Sequence, residues 1–177
     1  RTAITTLWPT AWPRSLIASA HVGGELAHKL KFAGWDFVII EGEAKSPVYL
    51  YIHNEKVEIR DASAAWGQGT RRSAEVLAKE TTPEASFGVI GQAGENLVPM
   101  SNMMVDKSHS AGGLGSVMGK KHLKGIVVYG NQAIHIHADP KEWEELIDSH
   151  RKILGAHTHS IVSRKPHPMF EYHTPAS

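Results

Sequence analysis

Polar and apolar residues come in pairs along Arg1-Thr-Ala-Ile-Thr-Thr-Leu7, and this β-rich run predicts a strand. Trp8-Pro9-Thr10-Ala11-Trp12-Pro13 must be a loop, because two closely spaced prolines cannot serve a central ladder. Ser15–Ala20 predicts a second strand, and His21-Val22-Gly23-Gly24 a turn into a helix. Leu26, Leu30 and Ala33 then share one helical face, which Gly34 closes. Phe37–Glu41 is an apolar run of strand length. Val48–His53, the turn Asn54-Glu55 and the alternating Lys56–Arg60 form the clearest hairpin pattern in the chain. Trp66–Gly69 reads as a loop, Thr70–Lys79 as a helix, Ser86–Ile90 as a short strand and Gly91–Asn96 as a turn. Leu97–Val105 carries Met100, Met103 and Met104 and predicts a buried strand with the methionines in the core. Gly112–Lys121 reads as a glycine turn plus a short helix feeding a strand over Lys124–Tyr129, and Ile134–His137 alternates like one more strand. Asp139 is a capping residue, Pro140 suits the first helical position and Glu142 follows, so a helix should run to Leu154. From Gly155 the chain loses all periodicity and reads as a linker. Eight or nine short strands with three or four helices, not in strict alternation, predict an α+β fold.

Composition narrows the function classes. The chain has 177 residues, 41% hydrophobic and 21% charged, with a formal net charge of +1. Such a balance suits a globular core and gives no general surface for nucleic acid. No apolar run approaches the roughly 20 residues of a membrane helix. There is no cysteine, which excludes a disulfide scaffold, a thiolate zinc site or a cysteine-held cluster within these residues. Both ends read as cut, so the chain is expected to be an excerpt of a longer protein.

The densest candidate chemistry is Ser108–Tyr129, where glycines stand at 112, 113, 115 and 119 and lysines at 120, 121 and 124. Glycine lets backbone approach a ligand closely, and free amides at a turn can hold an anion. A tight connection whose glycines serve packing fits the spacing equally. Lys120, Lys121 and Lys124 could be a phosphate patch, but lysines after a helix also complement its dipole. His135 and His137, like His157 and His159, have a spacing that could share a metal, yet no third ligand is evident.

Together these motifs resemble a known family. Gly23-Gly24, Leu30-Lys-Phe-Ala-Gly-Trp-Asp36, Glu41-Gly42, Pro47–Ile52, Val57–Ala62, Trp66-Gly67, Ile90-Gly91, Ala93-Gly-Glu-Asn96 and Val117–Ile126 occur in the order of the N-terminal domain of the aldehyde ferredoxin oxidoreductase family. The resemblance implies two packed, mostly antiparallel sheets with a few short helices. On such a β platform lies a bis-pyranopterin cofactor carrying tungsten or molybdenum, with magnesium as a bridge between pterin phosphates. A [4Fe–4S] cluster and most of the substrate cavity would come from later domains, as would the general acid and base. Residues 1–138 would be the partial pterin-cradling domain, 139–154 a helix and 155–177 a linker towards a missing helical domain.

The family's contacts carry over one by one. Its arginine ahead of the glycine pair matches Arg1, although the loop at Trp8–Pro13 is longer here. Its asparagine-led glycine turn matches His21, Val22, Gly23 and Gly24, with histidine replacing asparagine. Its arginine-led run before the short helix matches His109, Ser110, Ala111 and Gly112, with histidine replacing arginine. A further arginine–glycine pair is deleted, which leaves Gly113, Leu114 and Gly115. The implied cofactor-binding set is therefore Arg1, His21, Gly23, Gly24, His109, Ser110, Gly112 and Gly113, with bare amides of two glycine turns gripping the cofactor's anionic groups. Glu95 and Asn96 are expected to brace that site. The resemblance further implies a cytoplasmic oxidoreductase, alone as a homodimer or within a larger redox complex, that takes an aldehyde to a carboxylic acid and passes electrons to ferredoxin or another electron-transfer subunit. Two alternatives stay open. One is the active-site subunit of a tungsten-dependent benzoyl-CoA reductase acting on an aromatic thioester, and the other is a cofactor-free relative.

Overall fold

The computed structural model describes residues 1–156 except 12, 15, 107, 108, 135 and 136. The chain divides into two units, residues 1–134 and 135–177. The first holds two sheets. One pairs β1 (Thr2–Leu7) with β2 (Ile17–Val22), antiparallel. The other has six strands in the order β4-β3-β8-β5-β6-β7, built from β3 (Val48–His53), β4 (Lys56–Asp61), β5 (Ser86–Ile90), β6 (Met103–Val105), β7 (His109–Ala111) and β8 (Leu123–Tyr129). Only the β3–β8 pair is parallel. The helices are α1 (Leu26–Phe32), α2 (Thr70–Glu80), α3 (Gln92–Glu95), α4 (Gly115–Lys120) and, in the second unit, α5 (Pro140–Ala156). This is the α+β, mostly antiparallel two-sheet architecture expected.

The two-residue period of a strand sorts the core. In β3, Leu50 and Ile52 face one apolar cluster with Val22, Leu26, Met103, Val105 and Leu114, while Tyr49 and Tyr51 face a second with Leu77, Phe87 and Val127. The six-stranded sheet is thus covered on both sides, by α1 and α4 with β1–β2 on one and α2 on the other. Asn54 takes φ 51 in the β3–β4 turn and Gly34 takes φ 92 after α1, as turn and helix-stop positions require. In the second unit, Asp139 Oδ1 accepts the amides of Lys141 at 2.9 Å and Glu142 at 3.1 Å, the predicted cap.

Several expectations fail. Phe37–Glu41 is not a strand and makes no backbone hydrogen bond among the described residues. The apolar run Leu97–Val105 forms a strand only over Met103–Val105, because Leu97 takes φ 59 and Met100 is 75% exposed. Met103 alone of the three methionines is fully buried. The segment His109–Ala111, to which the sequence pattern assigned no element, is the edge strand β7. Gly91–Asn96 closes into the short helix α3. Ile134 and His137 lie outside any strand, and the residues between them, like the tail from residue 157 with His157 and His159, lie outside the described residues.

Candidate functional site: a glycine rim on the edge of the sheet

The edge strand β7 lies against β2, and the two glycine turns bracket it. Gly23 follows β2 and sits against His109: a Cβ on Gly23 would lie 2.5 Å from the imidazole Cδ2. Gly112 and Gly113 follow β7, at most about 13 Å along an extended chain from His109. A Cβ on Gly113 would lie 3.1 Å from Trp8 Cη2. The loop at Trp8 therefore folds over the second turn while the His109 ring covers the first.

The eight predicted residues are distributed along this rim. Arg1 is exposed, one residue ahead of Thr2, which pairs with Val22, and so stands at the Gly23 end. It makes no ion pair among the described residues. His21 pairs with Ala3 on the outward face of the two-stranded sheet, and His109 and Ser110 are exposed on β7. Gly112 is exposed, and the nearest atom to its would-be Cβ is Asn102 Oδ1 at 3.6 Å. Gly113 is buried, takes φ 70, and donates its amide to Asn102 Oδ1 at 3.3 Å. Gly115 donates to the Ser101 carbonyl at 2.9 Å. Two amides at the second turn are thus already partnered, and rings of the chain itself cover Gly23 and Gly113. The expected pair of bare turns narrows to Gly112 and the exposed backbone of β7.

Other glycines and lysines of the central stretch have different roles. A Cβ on Gly119 would lie 1.9 Å from the Gly94 carbonyl oxygen, and one on Gly94 would lie 2.9 Å from the Gly115 carbonyl. These three let α3 cross α4 backbone to backbone. The lysines form no patch: Lys120 pairs with Glu43 at 3.4 Å, Lys121 donates to the Gly42 carbonyl at 2.8 Å, and Lys124 is fully buried. Lys124 Nζ is ion-paired with Glu95 and donates to the Gln68 carbonyl at 3.0 Å, while the other Glu95 oxygen accepts the Gly67 amide at 2.9 Å. Burial pulls the Lys124 ammonium below its ordinary value, and the Glu95 carboxylate partly offsets this. Glu95 thus braces the α3–α4 corner through a buried lysine, and none of these contacts is with the predicted rim residues.

Sequence reasoning missed Asp106. Its Oδ1 accepts Ser86 Oγ at 2.7 Å and the Phe87 amide at 3.0 Å, and its Oδ2 accepts the Glu25 amide at 2.6 Å. One carboxylate thus ties β5, the end of β6 and the start of α1 together beside the first glycine turn. Gly24 makes the room, since a Cβ there would lie 2.6 Å from Oδ2, and its φ of 86 favours glycine as well. An aspartate just after an apolar strand was the available signal, because such residues often satisfy backbone at a turn. Trp8 was legible only as part of a proline-bounded loop.

No group of three or more His, Cys, Asp or Glu side chains among the described residues could hold a metal ion. What the rim offers is exposed Arg1, His21, His109 and Ser110 with the unblocked backbone at Gly112, a donor set that fits the polar edge of an organic group rather than a bare ion. Among the described residues, no helix is long and apolar enough to cross a membrane.

Two mostly antiparallel sheets meeting at a glycine-rimmed edge define an α+β platform domain that presents backbone at its surface. The chain belongs to the family described as "Aldehyde ferredoxin oxidoreductase, N-terminal domain", whose model matches residues 1–130. It is 46% identical over 134 residues to a tungsten-containing aldehyde ferredoxin oxidoreductase of Pyrococcus abyssi, covering 74% of this chain and 22% of the relative. It is 40% identical over 130 residues to the WOR-like subunit of an aliphatic sulfonate oxidoreductase of Pyrococcus furiosus, covering 65% and 21%. Among solved structures it matches the active site complex BamBC of benzoyl coenzyme A reductase, in complex with 1,5 dienoyl-CoA, with TM-score 0.74 and 40% identity over 79% of this chain and 22% of that one. The chain therefore spans about a fifth of the length of these relatives.

Proposed function

We propose that residues 1–134 form part of the cofactor platform of a tungsten–pterin oxidoreductase. The observation that carries this reading is the family match over residues 1–130, which takes in both glycine turns and the β7 rim between them. When bound, the cofactor would supply the two-electron chemistry by which an aldehyde and water give a carboxylic acid, two protons and two electrons, the electrons passing through a cluster held elsewhere to ferredoxin. The work of this chain is orientation. Arg1 offers a planar fork of donors to a phosphate or pterin oxygen, His109 and Ser110 offer donors along β7, and Gly112 lets backbone come close. His21 and His109 can donate as neutral or charged groups, where the resembling family members place an asparagine and an arginine. Asp106 holds the first glycine turn in place, and the Glu95–Lys124 pair steadies the α3–α4 corner.

Metal analysis of the full-length protein, purified without oxygen, tests this. Tungsten or molybdenum should copurify together with an extractable pterin. Absence of both metals would overturn the reading in favour of a cofactor-free relative. A second reading follows from the likeness to the benzoyl coenzyme A reductase complex: a subunit that acts on an aromatic thioester within a larger assembly. Aldehyde-dependent reduction of a viologen dye separates the two, since the second reading expects none and expects reduction of an aromatic CoA thioester instead.

A further inference from the structure

One edge of the six-stranded sheet is open. β4 ends the strand order, and no described strand lies beyond it. Which backbone groups face that edge follows from the β3–β4 hairpin. His53 and Lys56 flank the two-residue turn Asn54-Glu55 as a hydrogen-bonded pair, and such pairs recur at every second residue of an antiparallel ladder. Lys56, Glu58 and Arg60 therefore turn their backbone groups to β3. Ala62 continues the series, its amide donating to the Pro47 carbonyl at 2.9 Å. The amides and carbonyls of Val57, Ile59 and Asp61 point the other way, to the open edge. Two of the side chains beside them are apolar and uncovered: Val57 is 46% exposed and Ile59 is 74% exposed.

Charges usually keep edge strands apart. Those of β4 instead complement one partner, a second β4 running antiparallel. Around a two-fold axis, outward residues must pair with outward residues. In the register that sets Ile59 opposite the partner's Ile59, Val57 meets Asp61 and Glu58 meets Arg60, each in both directions. The neighbouring registers fail. Centred on Glu58, pairing opposes glutamate to glutamate and Lys56 to Arg60; centred on Arg60, it opposes arginine to arginine. Centred on Val57, it runs into the turn at Asn54, where φ 51 ends the strand. We propose that β4 is a self-pairing edge: two copies of the full-length protein join through it, antiparallel, with Ile59 at the two-fold axis. Each Ile59 then covers its counterpart and, diagonally, Val57 of the other copy. Arg60 Nε already donates to Glu58 Oε2 at 2.9 Å within each chain, and the join extends this pair into a network of four charges. The pairing needs no cofactor.

Hydrogen exchange on the full-length protein, resolved to single amides and read beside sedimentation, tests this. The amides of Glu58 and Arg60 bond β3 and report the fold, whereas those of Val57, Ile59 and Asp61 report the edge. In the wild-type protein the edge amides should exchange at least about 100-fold more slowly than unprotected ones. Ile59→Lys and Ile59→Glu each place like charges at the axis, on a side chain exposed enough to leave the fold intact. Each should weaken association at least about 10-fold and release the edge amides while Glu58 and Arg60 stay protected. Mixed in equal amounts, the two variants oppose lysine to glutamate and should regain both association and protection. Edge amides that exchange at unprotected rates in the wild-type protein would overturn the proposal. Protection or association that survives unchanged in both variants would assign the edge to another segment or another protein, and so overturn it too. Variants that stay apart on mixing would rule out the register, and the proposal with it.

Discussion

At the α3–α4 corner, Gly94, Gly115 and Gly119 face backbone. At the β2–β7 rim, Gly23 and Gly113 face aromatic rings and Gly112 has only Asn102 Oδ1 nearby, at 3.6 Å. The two regions use the same residue type against neighbours of very different stiffness. A carbonyl in a packed helix cannot give way, a ring can rotate, and a contact at ordinary van der Waals distance asks for nothing. Glycine at the corner is therefore a stability requirement, whereas at the rim it leaves a surface clear. Substitutions to alanine should rank in that order, and each rank can be broken by measurement.

The largest effect belongs to Gly119→Ala. Its Cβ would meet the Gly94 carbonyl oxygen at 1.9 Å, so α3 and α4 must separate. A loss of at least about 3 kcal/mol is expected, at the upper end of overpacking costs. Thermal unfolding of the full-length protein reads it; an unchanged midpoint would mean that the corner is not packed backbone to backbone.

The next effect comes from the ion pair beneath the same corner. Lys124→Met leaves Glu95 buried without its partner, which costs about 3 kcal/mol. The double variant Glu95→Gln with Lys124→Met should recover most of this, since no uncompensated charge remains. The pair also has a pH signature. The folded pKa of Lys124 lies below its unfolded value, so between the two the unfolded chain binds more protons. The contribution of this lysine to stability therefore rises with pH as it approaches the unfolded value of 10.5 from below. Tyr49 opposes this, because burial raises its pKa and its contribution falls as pH rises past 10.0. Both proteins contain Tyr49, so the wild-type minus Lys124→Met difference in midpoint removes the tyrosine's share and should climb as pH rises towards 10.5. A flat difference would contradict the burial argument.

These two regions were not equally legible in the sequence. Alternation gave β4, and β-rich or apolar runs gave β1, β3, β5 and β8, because each lies on a sheet whose faces differ in burial or are both apolar. The same reasoning failed at Phe37–Glu41, which has the residues of a strand but no partner in this chain, and composition cannot report a missing neighbour. It failed at β7 because His109-Ser110-Ala111 carries no apolar signal; its pairing is set by β6. Lys124 reads as a surface lysine next to a helix, and only the fold brings Glu95 beneath it. The rim residues came from resemblance to a family, and what the resemblance could not show was that His109 and Trp8 lie over the glycines.

Gly113→Ala ranks below the ion pair. Its φ of 70 disfavours a side chain, and the Trp8 ring must shift by a few tenths of an ångström, so about 1–2 kcal/mol is expected. Tryptophan fluorescence should change with it as Trp8 leaves its position.

The smallest stability effect, and the sharpest test of the comparison, is Gly112→Ala. Its would-be Cβ meets only Asn102 Oδ1, at 3.6 Å, and the residue does not take a positive φ. The midpoint should move by less than about 0.5 kcal/mol, because nothing must yield. If Gly112 is clear because a pterin edge lies on it, tungsten per mole of full-length protein should nevertheless fall several-fold, as an added methyl group displaces the ligand from the backbone. Such a result, loss of cofactor without loss of stability, is one that no corner glycine can give. Full metal content in a protein of unchanged stability would instead mean that Gly112 is a glycine without a ligand, and the rim's function would have to rest on Arg1, His109 and Ser110.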